Sequence, residues 1–297
     1  MQEKFHQLLK SRTLLFGIIL FLVGASFVGM SYRAGFKSIA SHIINADAVW
    51  LLLIIASQSV AYWAYVLPYK HVFKISYKRA ANYSFSGFHP FLAGGGTRFD
   101  VATHISLGSK ARVYYLGLWE YAALAPAVMV ASIYGYIHGG IPSNLILPWI
   151  IGVPTGTVLF TLAIIFRKNI SKFPYAHKLV NFMLDMLKQQ SAKELTILMA
   201  GMLLYWTGEL FALWGALQLF DIKLGWFALL VAYATGYVIS RRSLPLGGAG
   251  LILVTLALSL HWVGATLSVA LLAALTYQVS NLLMPVIYRK ATQAQSS

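Results

Sequence analysis

Two short segments of this chain set a proline a few residues ahead of a glycine cluster and bring arginine beside it. The first is Pro90-Phe91-Leu92-Ala93-Gly94-Gly95-Gly96-Thr97-Arg98-Phe99-Asp100, and the second is Arg241-Arg242-Ser243-Leu244-Pro245-Leu246-Gly247-Gly248-Ala249-Gly250. Proline removes a helix donor and glycine permits unusual backbone angles, so a smooth helix cannot run through either segment. Glycines also leave backbone N–H groups uncovered, and a helix restarting after them turns its positive end towards the break. With Arg98, Arg241 and Arg242 alongside, the chemistry on offer is recognition of an anion, in a membrane a lipid phosphate. The same glycines also suit close helix packing or a tight turn, with the arginines snorkelling to the interface.

The two segments resemble each other. A shift of 153 positions, from 94 to 247, sets Gly94 on Gly247, Gly95 on Gly248, Val101 on Val254, Ser106 on Ser259 and Leu107 on Leu260. Paired interrupted segments in two halves of a chain point to a transporter-like site. Glu120 and Glu209 add a second kind of chemistry, because both stand inside apolar stretches. Ionisable residues there are costly and are functional candidates by default. Each can pair with Arg98 or Arg112, or carry a coupling proton. Asp100 is the one carboxylate close to a glycine break that a membrane-embedded transferase could use as acid or base.

The elements that position these residues are membrane helices. Only 10% of the 297 residues are charged and 59% are hydrophobic, against about a quarter charged in a soluble domain. Apolar blocks at Leu14–Met30, Ala48–Leu67, Val113–Ile137, Leu145–Phe166, Leu195–Phe220 and Leu224–Ile239 each approach the roughly 20 residues a bilayer crossing needs. Leu251–Ile287 is long enough for two passes, with a break near His261–Gly264. The expected fold is an all-α integral membrane protein of about seven or eight spans in one polytopic domain. Half one covers about 1–137 with a broken or re-entrant segment at 82–110, and half two about 145–290 with its own at 241–262. The leader Met1–Arg12 is basic, but Leu14–Met30 is long for a signal core and is expected to be the first span.

Lysine and arginine concentrate before the first block, after the second, at 168–193, at Arg241-Arg242 and at Arg289-Lys290. The alternating basic loops place both termini in the cytoplasm of a cell membrane protein, with Ser31–Asp47 an imperfect fit outside. Residues 168–193 carry Phe173, Leu179, Val180, Phe182, Met183, Met186 and Leu187 at helical spacing with lysines around them, as an amphipathic cytoplasmic linker does. The net charge of +15 is thereby assigned to topology and anionic lipid headgroups, not to nucleic acid. Tyr62-Trp63-Ala64-Tyr65 and Tyr114-Tyr115 are expected in an interfacial aromatic belt.

Other chemistry is poorly served. With no cysteine and eight histidines in no close-spaced ligand set, neither a metal nor another cofactor is expected. His89 and His104 are the two that flank the first break. No nucleophile elbow, P-loop or dinucleotide fingerprint is present.

Leu244-Pro245-Leu246-Gly247-Gly248-Ala249-Gly250 resembles the Pro-Gly-Gly-Leu-Gly signature of the lysylphosphatidylglycerol synthase transmembrane-region family, the flippase part of multiple-peptide-resistance proteins. A helix and a pair ending in a proline follow that signature, here Asn281-Leu282-Leu283-Met284-Pro285. The stretch Pro90 to Arg98, then Gly108-Ser109-Lys110, is similar to the family's proline, glycine turn, basic residue and gly-x-ser segment. The chain departs from the pattern at Leu251-Ile252-Leu253, where the family carries a glutamate, and at Gln278, where an arginine is common. The resemblance implies a stand-alone, flippase-like member without the aminoacyl-transferring domain. It would be a translocase for an anionic phospholipid or lipid-linked intermediate, or a membrane protein working on lipid-linked intermediates, and is expected to be transporter-like more than an enzyme.

Its headgroup site would comprise Pro90, Gly94, Gly95, Gly96, Arg98, Arg241, Arg242, Pro245, Gly247, Gly248 and Gly250, with Glu120, Glu209 or Asp100 for coupling or an ion pair. Its partners would be membrane lipids, with a homo-oligomer or a partner membrane protein also open. Two other readings stay open: a transferase on polyprenyl-phosphate-linked substrates, and a non-catalytic membrane partner acting through its basic face.

Overall fold

The computed structural model describes residues 24–85, 107–166, 174–239 and 249–294. Of the described residues 87% are helical, with no strand among them. A helical stretch over 24–34 stops at Gly35, whose φ of 80° suits a residue without a Cβ. The helices that follow are α1 (Phe36–Ile44), α2 (Trp50–Phe73), α3 (Tyr77–Phe85), α4 (Leu107–His138), α5 (Ser143–Ile165) and α6 (Pro174–Gln189). Then come α7 (Ala192–Gln218), α8 (Trp226–Tyr233, continuing as a π-helix over Ala234–Ile239), α9 (Ala249–Trp262) and α10 (Leu267–Ala294).

Four of these are long and apolar enough to cross a membrane: Trp50–Phe73, Tyr115–His138 within α4, Ser143–Leu162 within α5, and Ala192–Gln218. Shorter apolar stretches occupy Trp226–Tyr237, Ile252–Trp262 and Leu267–Asn281. The chain is therefore an all-helical protein whose apolar helices suit a membrane. The segment at 82–110 is helical at both ends, because α3 runs on to Phe85 and α4 begins at Leu107. Neither end contains a proline to stop a helix. Likewise α9 occupies most of 241–262, starting at Ala249 once Pro245 is passed.

The centre of the bundle is the antiparallel pair α2 and α7. Three glycines at seven-residue spacing let the two backbones approach. A Cβ added at Gly208 would meet the Ser57 carbonyl oxygen at 2.6 Å and the Ala61 Cβ at 2.8 Å. One at Gly201 would meet the ring of Pro68 at 2.9 Å, and one at Gly215 would meet Ile54 at 3.1 Å. Association in a bilayer gains no hydrophobic driving force, so close van der Waals contact of small residues carries much of it.

Local signals set the helix ends. Ser191 accepts from the Glu194 backbone N–H at 3.3 Å while the Glu194 carboxylate accepts from the Ser191 N–H at 2.9 Å, a capping box that starts α7. At the close of α2, Lys74 adopts φ 52° and the Ile75 N–H reaches the Lys70 carbonyl at 3.2 Å.

The bundle has two unlike ends. The Asp47 N–H donates to the Leu219 carbonyl at 3.0 Å, so the start of α2 and the end of α7 share one end. There Trp50, Trp214 and Trp226 gather, with centroid distances of 5.3 and 5.4 Å. The opposite end collects Lys70, Lys74 and Lys78 with Lys188 and Lys193. Around the central pair, α10 packs on α2 and α7, α4 packs on α7 and α5, and α8 lies between α4 and α9.

Candidate functional site in the bundle core

Glu209 lies one residue beyond the Gly208 contact and is fully buried. Its carboxylate accepts a short hydrogen bond from the Tyr277 hydroxyl of α10. A buried carboxylate needs such partners, since desolvating a charge without them is expensive. From Tyr277 the hydroxyl network spreads over four helices. The Tyr233 hydroxyl of α8 stands 3.3 Å from that of Tyr277, and the Asn281 amide nitrogen donates to Tyr237 at 2.7 Å. The Tyr62 hydroxyl of α2 donates to the Asn281 carbonyl at 3.0 Å and also bonds its side-chain oxygen.

One turn before Tyr62 stands Gln58, fully buried, and neither of its amide atoms has a hydrogen-bond partner among the described residues. Gln278, one turn before Asn281, is also buried, and its side-chain oxygen has no partner among the described residues. Buried polar atoms without a protein partner are ones that water, an ion or a substrate group can satisfy.

The π-helix helps to assemble this site. Tyr233 and Tyr237 are four residues apart across its start and their rings stack at 5.2 Å. Gly236, between them, lies against α9, where a Cβ would sit 2.7 Å from the Leu256 Cα. The Thr255 hydroxyl donates to the Gly236 carbonyl at 2.7 Å and occupies one acceptor that the altered register exposes. Thr235 accepts from the Trp149 indole at 2.9 Å, which ties the same turn to α5.

Glu120 is also buried, on α4, and its backbone carbonyl accepts from the Trp206 indole at 2.8 Å. Arg112 lies two turns from it, about 12 Å along the helix, and sits over the Phe73 ring at 5.7 Å. The structure therefore brings Glu209 into a tyrosine and amide cluster and places Arg112 elsewhere.

Of the residues expected at the glycine breaks, Pro90, Gly94, Gly95, Gly96, Arg98, Asp100, Arg241, Arg242, Pro245, Gly247 and Gly248 lie outside the described residues, as do His89 and His104. Gly250 falls in the first turn of α9. Val254, Ser259 and Leu260 of the internal likeness are buried in α9, while Val101 and Ser106 lie outside the described residues. Among the described residues no group of three or more His, Cys, Asp or Glu could hold a metal ion.

The belt assignment of the tyrosines is corrected. Tyr62, Tyr65 and Tyr115 are buried in the core, with only Trp63 of that motif turned outwards at 48% exposure. Their hydroxyls have partners inside the bundle, Tyr62 with Asn281, Tyr65 with Tyr69 at 3.1 Å, and Tyr115 with Gln190 at 2.5 Å. An interior partner removes the need for an interfacial position. Comparisons with protein-family models, with curated proteins and with solved structures return no match.

Proposed function

We propose that this chain is a flippase-like membrane transporter that binds an anionic phospholipid or lipid-linked intermediate and moves it between leaflets. The observation that carries the reading is the Glu209 carboxylate, fully buried between apolar helices and bonded by Tyr277. A carboxylate kept at such depth is costly, and taking up or releasing a proton changes its charge where cargo would pass. Among the described residues both amide atoms of Gln58 and the amide oxygen of Gln278 have no hydrogen-bond partner. Glu209 is then the coupling residue, and Arg98, Arg241 and Arg242 are the phosphate ligands of the paired proline and glycine segments.

The dimensions of α8 and α9 support the re-entrant part of this picture. α9 has 14 residues, which is about 21 Å of helix against a hydrocarbon core of about 30 Å. It packs on an α8 of similar extent through Gly236. In this reading the two form a hairpin that enters from the Asp47 end without crossing, within a domain of seven or eight apolar segments with both termini cytoplasmic.

The test is transfer of fluorescent phosphatidylglycerol across proteoliposomes. We expect Glu209→Gln, and separately the Arg98→Gln/Arg241→Gln/Arg242→Gln triple variant, to reduce transfer at least tenfold with the protein still folded. Transfer at the wild-type rate in both variants overturns the proposal.

A further inference from the structure

We propose that a cleft at the basic end of the bundle, remote in character from the Glu209 cluster, binds the headgroup of an amine-bearing phospholipid. The proposal goes beyond the function above, since this lipid is not the anionic cargo, and rests on that reading only for placing the chain in a bilayer. The cleft measures about 300 Å³ and is bounded by the close of α2, the start of α4, α6 and the start of α7. That volume falls at the small end of ligand pockets.

Its walls are divided by charge. His71 and Lys74 from the end of α2 and Arg112 from α4 supply the positive side. The Arg112 guanidinium lies over the Phe73 ring, 5.7 Å from its centroid. A phosphate is the anion that such a fork, with an ammonium beside it, matches best. Opposite stands Asp185 on α6, exposed to solvent. The second acid of the cleft, Glu194, accepts from the Ser191 N–H and hydroxyl in the capping box and also feels the charges of Lys74 and His71. Two acids set beside Arg112, Lys74 and His71 suit a phosphate carrying an ammonium group and disfavour a headgroup of negative charge alone.

The remaining wall decides between a lipid and free phosphate. Val72, Phe182 and Met186 give the cleft an apolar side that free phosphate cannot use and a glycerol-linked acyl chain can. α6 is an amphipathic helix, with Phe182, Met183 and Met186 half-buried and Lys178 and Lys188 exposed. Such a helix lies at the depth of lipid headgroups, where the membrane-crossing helices also end.

The test uses the full chain in a non-ionic detergent, titrated calorimetrically with dihexanoyl phosphatidylethanolamine, dihexanoyl phosphatidylglycerol and inorganic phosphate. Phosphatidylethanolamine is expected to bind at least tenfold more tightly than either of the others. Arg112→Gln and Lys74→Asn should each weaken it about tenfold, and Asp185→Asn should abolish the preference over phosphatidylglycerol. Lys74 holds a left-handed conformation that asparagine accepts readily, so loss of fold cannot account for its effect. Unchanged binding in Lys74→Asn and Arg112→Gln overturns the site, and phosphate binding as tightly as the lipid overturns the lipid as its occupant. Glu209→Gln should leave this binding untouched, so failure of the transport proposal and failure of this one read out separately.

Discussion

The Tyr277 hydroxyl donates to the Glu209 carboxylate across the interface of α10 and α7, and both residues are fully buried. Tyr277 thereby joins the carboxylate to Tyr233 and Asn281, and through Asn281 to Tyr62 and Tyr237. Removing that one oxygen should be felt at Glu209 first. Tyr277→Phe is expected to cost about 1–3 kcal/mol, the usual penalty for stripping a buried charged acceptor of a donor. The check is a denaturation series in mixed micelles, with Tyr65→Phe as a control outside the carboxylate's own hydrogen bond. Equal loss in the two variants would show that the bond to Glu209 is worth no more than the neutral Tyr65–Tyr69 bond.

Gln58 presents the opposite case. Both of its amide atoms are buried without partners, so Gln58→Leu removes a desolvation penalty of about 1–3 kcal/mol and should raise the melting temperature in detergent. Lipid transfer in proteoliposomes should fall in the same variant. A lowered melting temperature would instead reveal that a resident polar species satisfies the amide.

The glycines of α7 are expected to tolerate nothing larger. Gly208→Ala forces a methyl group against the Ser57 carbonyl oxygen at 2.6 Å, where backbone has to move. Overpacking of this kind costs about 1–3 kcal/mol. Gly152→Ala on α5, where a Cβ meets nothing within 4 Å, should be neutral or stabilising by up to about 1 kcal/mol. Thermal shifts of the two single variants test the contrast, which similar values would abolish.

Ser191→Ala should loosen the start of α7. The variant loses the hydroxyl half of the capping box, worth about 1 kcal/mol. Amide exchange should quicken over residues 192–195 and stay slow around Glu209. Uniform acceleration along α7 would mean that the cap governs the whole helix.

Much of this architecture was legible in the sequence, and the reasons are specific. Apolar blocks located the four helices long and apolar enough to cross a membrane, because hydrocarbon tolerates little else, and Glu209 stood out as a carboxylate inside one of them. The break at His261–Gly264 falls between α9 and α10 as expected. The partners of Glu209 were missed. Tyr62, Tyr65 and Tyr69 share one helical face, as do Tyr233 and Tyr237, and Tyr277 and Asn281. That spacing was available, but an aromatic stripe in a membrane helix suits a lipid interface as well as a core. Which faces meet is decided by α2 and α7 closing on their glycines, and that is a property of pairs of helices. The π register of Ala234–Ile239 carries no proline or other break to announce it.

The spacing of Gly201, Gly208 and Gly215 has a mechanical meaning. A repeat of seven is a period of 3.5 residues, so the three glycines fall on one face of α7 and meet α2 along its length. Tight contacts at three successive stations, with α2 backbone close to Gly201 and Gly208 and the Ile54 side chain on Gly215, oppose sliding and rolling. In the transport cycle proposed above this pair would be the stator, and any stroke would belong to the short helices α8 and α9, which meet at the π turn. Cross-linking α2 to α7 should then leave transport running, while cross-linking α8 to α4 should arrest it. Cargo would pass along a fixed spine, moved by the shorter helices beside it.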